Sequence, residues 1–161
     1  MAMFSRRRTS STPLDGVDAV LADLDGVVYA GAGALPWAVE SLSALGERRL
    51  GFITNNASRT DEAVAEHLRE LGLATQASDV VTSPQAATRL LRTRVEPGAT
   101  ILVVGGEGLV VELENAGYAV TRSAEDSPAA VVQGFAPDVG WKQLAEAAFA
   151  LKTPEDEGGI P

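Results

Sequence analysis

Two aspartates directly follow a short apolar run near the start of the chain, and this stretch constrains the fold more than any other. Residues 17–22 are mostly apolar and predict a parallel strand that is buried on both faces. Asp23 and Asp25 come next, and side chains two positions apart on an extended chain point to the same side. Gly26 then lets the backbone turn away. Because two neighbouring carboxylates repel each other, we expect a bound cation or an unequally shared proton.

The local pattern leaves one other interpretation of the acidic pair open and excludes a second. Asp-Gly is a common turn dipeptide, so the strand could simply end in a polar turn. A calcium-binding loop also begins Asp-x-Asp. Here, however, Val27, Val28 and Ala34 stand where such a loop has a ligand, a glycine and a glutamate. The calcium loop is therefore excluded.

The following segments predict a strand–helix–strand unit. Residues 38–45 carry apolar side chains at helical spacing, and Pro36 suits the first turn of that helix. Residues 50–54 form a second short apolar strand. Since such crossovers are right-handed, the two strands should be parallel and adjacent, with Thr54 about 5 Å from Asp23. A hydroxyl and backbone amides would then face the carboxylates at the sheet edge where open α/β sheets bind ligands.

The rest of the chain predicts further helices and strands on either side of a boundary at Pro97-Gly98. Helices are expected from a capping box formed by Ser58 and Asp61 to about residue 71, and over about 83–94, 109–115 and 139–151. Strands are expected over residues 79–82, 100–104, 118–121 and 129–132. His67, the sole histidine, lies among charged residues and is interpreted as a surface residue rather than a catalytic base.

Two glycine-containing stretches resemble fragments of a dinucleotide-binding fingerprint. Gly106-Glu107-Gly108 stands between a predicted strand and a predicted helix, but Val111 occupies the third glycine position. In the stretch over residues 31–33 that position is occupied by Pro36. Both stretches are interpreted as backbone turns rather than nucleotide sites.

Composition and charge exclude several classes of function. The 161 residues suffice for one domain with a sizeable core, or for one domain and part of another. The sequence has no cysteine, which excludes disulfides and thiolate chemistry.

Net charge is −9, and residues 61–161 hold sixteen acidic against seven basic side chains, a balance that disfavours nucleic-acid binding. The basic cluster over residues 6–8 is interpreted as part of a flexible tail over residues 1–14. Since no membrane-length apolar run or secretion signal is visible, we expect a cytoplasmic protein without a membrane partner.

Asp23-Leu24-Asp25-Gly26-Val27-Val28-Tyr29, followed by Thr54-Asn55-Asn56, resembles the first two motifs of the haloacid dehalogenase superfamily of phosphatases. The resemblance is greatest to the class IIA branch, in which a cap domain is inserted after the second motif. It covers nearly all of the chain after the tail. It implies an α/β fold, with the N-terminal part of a Rossmann-like parallel-sheet core over residues 15–96 and the first part of an α/β cap over residues 97–161.

The resemblance also implies Mg²⁺-dependent hydrolysis of a small phosphorylated metabolite. Asp23 would be the nucleophile that forms an aspartyl-phosphate, and Asp25 would act as general acid and base. Mg²⁺ would bind the Asp23 carboxylate and the Asp25 backbone carbonyl. Thr54 and the Asn55 amide would hold phosphate oxygens. The segment over residues 27–33 would match the family's mobile flap.

The chain departs from the family pattern in its second part. The third motif of the family is a lysine in a Gly-Lys-Pro setting, and neither Lys142 nor Lys152 has that setting. The fourth motif is an acidic pair after a buried strand, and Asp156 follows no predicted strand. We therefore expect a chain that stops inside the cap and has little or no turnover.

Two other hypotheses are kept. One is a non-catalytic fragment, or a binding module with a residual Mg²⁺ site. The other is a phospho-accepting receiver module, although the aspartate and lysine that it would need at the ends of later strands are not visible. The particular substrate and any homo-oligomerisation are left open.

Overall fold

The computed structural model of the chain describes residues 12–161, so residues 1–11 of the expected tail, with the basic cluster, lie outside it. Two three-stranded parallel sheets follow one another along the chain, with a small hairpin after the first strand. This is the α/β class that the sequence predicts. None of the helices in the described part of the chain combines the length and hydropathy needed to cross a bilayer.

In chain order the strands and helices are β1 (Ala19–Asp23), β2 (Tyr29–Ala30), β3 (Gly33–Ala34), α1 (Ala38–Ser43), β4 (Arg49–Thr54), α2 (Asp61–Glu70), β5 (Val80–Thr82), α3 (Ser83–Leu91), β6 (Thr100–Val104), α4 (Glu107–Asn115), β7 (Ala119–Thr121), β8 (Ala130–Gln133) and α5 (Trp141–Ala150).

The first sheet has the strand order β1–β4–β5 and is parallel throughout. Asp23 lies opposite Ile53, and Thr54 lies opposite Thr82. The predicted strand–helix–strand unit is therefore confirmed, since β1 and β4 are adjacent and α1 connects them. The apolar residues 27–29 predict that the chain continues extended through residues 30–33. This prediction is wrong, because the chain turns there and forms the antiparallel hairpin of β2 and β3.

Burial of the first sheet is one-sided. One face packs into a core that includes Leu24, Phe52 and Leu68. The other face carries Leu21, Ile53 and Val81, which are 69%, 41% and 46% exposed. The prediction that β1 is buried on both faces is therefore wrong. In the described part of the chain the core of this sheet lies on one face, so burial along β1 alternates.

Helix α2 differs from the sequence prediction at its start and on its apolar face. Its N-cap is Thr60, whose hydroxyl accepts from the Ala63 N–H at 3.2 Å, so the capping box predicted at Ser58 and Asp61 is wrong. His67 is also not a surface residue, because its ring packs edge-on against Tyr29 with 4.9 Å between ring centroids. It lies three residues after the buried Val64 and so shares the helix face that packs on the core.

The second sheet has the strand order β7–β6–β8, and all its strands are parallel. Residues 101–104 of the central strand are fully buried, because apolar clusters lie on both faces of this sheet. Helix α4 contributes Leu109 and Leu113 to one cluster, and α5 contributes Ala147 to the other. The strand predicted over residues 100–104 and the helix end predicted at Asn115 are confirmed. The division into domains at residues 15 and 97 stays a prediction.

Candidate active site

The acidic pair lies in a tight turn at the carboxyl end of β1. Leu24, between the two aspartates, is fully buried, while Asp23 and Asp25 are exposed. The Leu24 carbonyl accepts from the N–H groups of Val28 and Tyr29 at 2.9 and 3.3 Å, and Asp23 Oδ1 accepts from the Leu24 N–H at 2.8 Å. The backbone therefore folds around an apolar anchor and leaves both carboxylates accessible. The polar-turn interpretation and the chemical-site interpretation thus describe the same segment.

A hydrogen-bonded loop follows β4. The Thr54 hydroxyl, in a residue only 6% exposed, accepts from the Asn56 N–H at 3.1 Å. Asn56 Oδ1 in turn accepts from the Ser58 N–H at 2.9 Å and from the Ser58 hydroxyl at 2.7 Å. The Ser83 hydroxyl donates to the Asn55 carbonyl at 2.9 Å. We call residues 54–59 the β4 loop. Hydrogen bonds made by the side chains of Thr54, Asn56 and Ser58, and by that of Ser83 of α3, fix its conformation.

The sheet register brings the four predicted site residues to one edge. Asp23 is paired with Ile53 on the neighbouring strand, about 5 Å away, and Thr54 lies one residue beyond Ile53. Because side chains alternate along a strand, Thr54 stands on the face of Phe52, whereas Asp23 stands on the face of Ile53. A ligand shared by these residues would therefore sit beyond the strand ends rather than against one face.

Tyr29 and Arg59 belong to this region as well. The pKa of the Tyr29 phenol is raised above its ordinary value of 10.0 by burial first, and then by the negative charge of Asp25 and, less strongly, of Asp23. The positive charge of Arg59 acts in the opposite direction. Arg59 is not among the site residues predicted from the sequence, although it lies only three residues after Thr54-Asn55-Asn56.

The donor groups at this edge fit Mg²⁺ with a phosphate rather than a closed metal cage. Among residues 12–161 no three Asp, Glu, His or Cys side chains are grouped closely enough to hold a metal by themselves. Mg²⁺ is usually bound through only one or two carboxylates and keeps waters and phosphate oxygens as its other ligands. The exposed pair of Asp23 and Asp25 meets that requirement.

A cavity in the described part of the chain lies elsewhere. It has a volume of about 640 Å³ and is lined by Arg122, Lys142 and Glu146, among other residues of the second sheet and α5. None of the predicted site residues lines it. The candidate site is therefore an exposed edge in the described part of the chain rather than an enclosed pocket.

Fold and site together define an α/β protein that presents a carboxylate pair at the carboxyl end of a parallel strand, beside a Thr-Asn loop on the next strand. A family model described as haloacid dehalogenase-like hydrolase matches residues 20–119, and the chain belongs to that family. The resemblance to the class IIA branch is thereby confirmed.

Individual relatives agree with this assignment. The D-glycerol 3-phosphate phosphatase of Mycobacterium tuberculosis is 48% identical over 135 residues, which cover 84% of this chain and 38% of the relative. Human glycerol-3-phosphate phosphatase is 35% identical over 167 residues, covering 88% of this chain and 52% of the relative.

Among solved structures, the crystal structure of a glycerol phosphate phosphatase from M. tuberculosis in complex with magnesium has a TM-score of 0.80 and 46% identity. That similarity covers 86% of this chain and 42% of the other. Set against these relatives, the chain spans between 38% and 52% of their length.

Proposed function

We propose that this chain carries the site of a Mg²⁺-dependent phosphomonoester hydrolase that acts on a small phosphorylated metabolite in the cytoplasm. The observation that supports it is the exposed Asp23 and Asp25 pair beside the end of β4. The 48% identity to a D-glycerol 3-phosphate phosphatase makes glycerol 3-phosphate the first substrate to test.

In this proposal the two aspartates divide the chemistry. The Asp23 carboxylate attacks phosphorus in line, forming an aspartyl-phosphate while the ester oxygen leaves with a proton from Asp25. Asp25 then takes a proton from water, which attacks the aspartyl-phosphate and releases inorganic phosphate. Mg²⁺, when bound at Asp23 and Asp25, supplies positive charge that offsets the repulsion between the carboxylates and the phosphate.

The β4 loop would bind the phosphate in the same proposal. A hydroxyl has one donor hydrogen and two acceptor lone pairs. Since the Thr54 oxygen already accepts from the Asn56 N–H, its hydrogen remains available to donate to a phosphate oxygen. The Asn55 amide would provide a second donor on the exposed side of the loop.

A second candidate is binding of Mg²⁺ and phosphate without appreciable turnover. Two observations favour it: the two lysines lie on α5 and directly after it, and the described residues group no third acidic side chain with the pair. A transferring phosphoryl group would then lack a neutralising lysine. For the same reason we expect any turnover by this chain to be slow.

The test is a phosphatase assay with p-nitrophenyl phosphate and glycerol 3-phosphate in Mg²⁺ buffer. We expect Asp23→Asn to reduce the rate to background and Asp25→Asn to reduce it at least about a hundredfold, since it removes the general acid and base. Asp18→Asn, which changes an exposed aspartate before the opposite end of β1, should leave the rate unchanged. Chelation of Mg²⁺ should abolish it.

Other outcomes separate the candidates. Equal rates in the unaltered chain and in Asp23→Asn would remove Asp23 from the mechanism. Absence of turnover, with phosphate binding that depends on both Mg²⁺ and Asp23 by calorimetry, would favour the binding-only candidate. Absence of both would refute the proposed function.

A further inference from the structure

Three glycines converge on residues 57–59, the second half of the β4 loop. Gly106 and Gly108 stand at the start of α4, and Gly134 follows β8. We propose that these three glycines form a seat, called here the glycine seat, that positions the β4 loop and through it the phosphate-binding groups of Thr54 and Asn55. Its consequence for phosphate binding rests on the proposed function.

The contacts at the glycine seat exclude a Cβ on Gly108 and leave little space for one on Gly106 or Gly134. A Cβ on Gly108 would lie 2.6 Å from the Arg59 carbonyl carbon and closer still to its oxygen. A Cβ on Gly106 would lie 3.1 Å from Ser58 Cα. A Cβ on Gly134 would lie 3.0 Å from the Ala57 Cβ. Each successive residue of the segment 57–59 thus meets its own glycine.

These glycines are required by close approach rather than by turn conformation. Gly106 has a φ of −83°, and neither Gly108 nor Gly134 is among the glycines with positive φ. Other residues could adopt these backbone angles, so only the lack of a side chain distinguishes glycine here. The interpretation of Gly106-Glu107-Gly108 as a backbone turn is therefore corrected, since Gly106 caps α4 and Gly108 lies inside it.

A hydrogen-bond chain connects the glycine seat to the candidate site. The Gly108 N–H donates to the Ser58 carbonyl at 3.4 Å. The N–H and hydroxyl of Ser58 donate to Asn56 Oδ1, and the Asn56 N–H donates to the Thr54 hydroxyl. A displacement of Ser58 would therefore disturb the group that orients the Thr54 hydroxyl. The three glycines are positioning residues and touch no substrate in this scheme.

A compensating pair of substitutions tests the seat directly. Gly134→Ala places a Cβ against that of Ala57, and Ala57→Gly removes the atom that it meets. We expect Gly134→Ala to accelerate amide hydrogen exchange of Asn56 and Ser58 at least about tenfold, because overpacking favours local opening. Ala57→Gly alone should change the exchange rates of these two amides about fivefold or less. In the double variant, amide exchange should return close to the rate of Ala57→Gly. The other atom near the added Cβ is Leu109 Cδ2 at 3.3 Å, and this atom can move aside because it ends a flexible side chain.

Gly140→Ala is the matched control. It lies in the same part of the chain with a φ of −137°, and its added Cβ would meet nothing nearer than Gln143 Oε1 at 3.7 Å. Exchange at Asn56 and Ser58 should be unchanged in this variant. If Gly134→Ala fails to fold by far-UV circular dichroism, Gly106→Ala takes its place and should show the same acceleration.

The outcomes distinguish the seat from the proposed function. Unchanged exchange at Asn56 and Ser58 in a folded Gly134→Ala or Gly106→Ala variant would overturn the glycine seat, as would a double variant no slower than Gly134→Ala. These measurements need no ligand. In Mg²⁺ buffer the affinity for inorganic phosphate should fall about tenfold in Gly134→Ala and recover in the double variant. If neither the unaltered chain nor any variant binds phosphate, and the unaltered chain shows no turnover, the proposed function fails while the exchange result still decides the seat.

Discussion

At the scale of single residues, the Thr54 hydroxyl has a structural task that can be separated from phosphate binding. The hydroxyl accepts a hydrogen bond from the Asn56 N–H, and Thr54 itself is almost fully buried. Thr54→Val keeps the shape and leaves that N–H without its acceptor, so we expect a loss of about 1–3 kcal/mol in the free energy of unfolding. Thr54→Ser keeps the hydroxyl and should cost about 1 kcal/mol or less. Urea denaturation of the two variants measures the difference, and equal losses would show that the methyl group dominates.

The raised pKa of Tyr29 provides a test of the position of Asp25. Burial and the charge of Asp25 both favour the neutral phenol. Asp25→Asn should therefore move the pKa of Tyr29 downward, toward 10.0. Because the sequence has two tyrosines, the titration by absorbance at 295 nm is done in a Tyr118→Phe background. A pKa unaffected by Asp25→Asn would place Asp25 away from the phenol.

The same shift fixes the sign of a stability effect at high pH. A group whose pKa is raised by folding loses its contribution as the pH rises through the folded-state pKa. Ionisation of Tyr29 should therefore destabilise the fold above pH 10, and Tyr29→Phe should lose less stability over that range. Thermal melts between pH 8 and about pH 11 compare the two proteins.

Site residues differ in how far the sequence alone could place them. Asp23 and Thr54 end two apolar strands, and a local pattern suffices to predict that parallel strands bring such ends together. The bond from Ser83 to the Asn55 carbonyl joins residues 28 positions apart and depends on where α3 packs. His67 shows the same limit, because its charged neighbours in sequence gave no sign of the Tyr29 ring that covers it.

At the scale of elements, the two faces of the first sheet should respond differently to substitution. Leu68 of α2 is fully buried against one face, whereas Ile53 of β4 is 41% exposed on the other. We expect Leu68→Ala to cost about 2–5 kcal/mol in the free energy of unfolding. Ile53→Thr should change it by about 0.5 kcal/mol or less, since the threonine keeps β-branching at an exposed site. Denaturant melts of both variants check this, and a large loss in Ile53→Thr would show that the exposed face is covered in solution.

Most helices and strands were predictable because their signals are local. Helical periodicity, with proline or glycine at the ends, placed α3 and α4 to within a few residues. A short apolar run after Pro97-Gly98 placed β6. Burial of β1 was mispredicted because an apolar strand has the same sequence whether one or both of its faces are covered. Residues far away in the sequence determine whether anything packs on the second face, and a local pattern cannot predict their position.

At the scale of the whole molecule, a pair of carboxylates lies where α2 and α3, which follow strands of the first sheet, meet α4 of the second. Gln85 of α3 donates from Nε2 to the Asp61 carboxylate of α2 at 3.0 Å, and Glu112 of α4 is close to both. Burial first, and then the charge of Asp61, raises the pKa of Glu112, while the hydrogen bond from Gln85 opposes the shift. Asp61, Gln85 and Glu112 line a cavity of about 340 Å³. Arg89 of α3 and Arg92, which directly follows that helix, line it as well. The packing of α3 on α4 should therefore respond to pH through Glu112.

The sign of this response follows from the raised pKa. Since folding favours the protonated form of Glu112, its contribution to stability is present below its ordinary pKa of 4.5 and is lost as the pH rises through the folded-state pKa. Glu112→Gln keeps an uncharged group of the same shape at every pH. We therefore expect the variant to have a higher Tm than the unaltered chain at pH 7, with the difference shrinking as the pH falls toward 4.

Glu114→Gln is the matched control for that prediction. It removes one negative charge from an exposed position on the same helix. It therefore measures how much Tm rises merely because the net charge of −9 becomes less negative. Scanning calorimetry from pH 4 to 8 compares the three proteins. A gain in Tm at pH 7 that is equal in both variants would assign the effect to net charge. A larger gain in Glu112→Gln, confined to the pH range above the ordinary pKa of a glutamate, would assign it to the Glu112 carboxylate, which burial and the charge of Asp61 both disfavour.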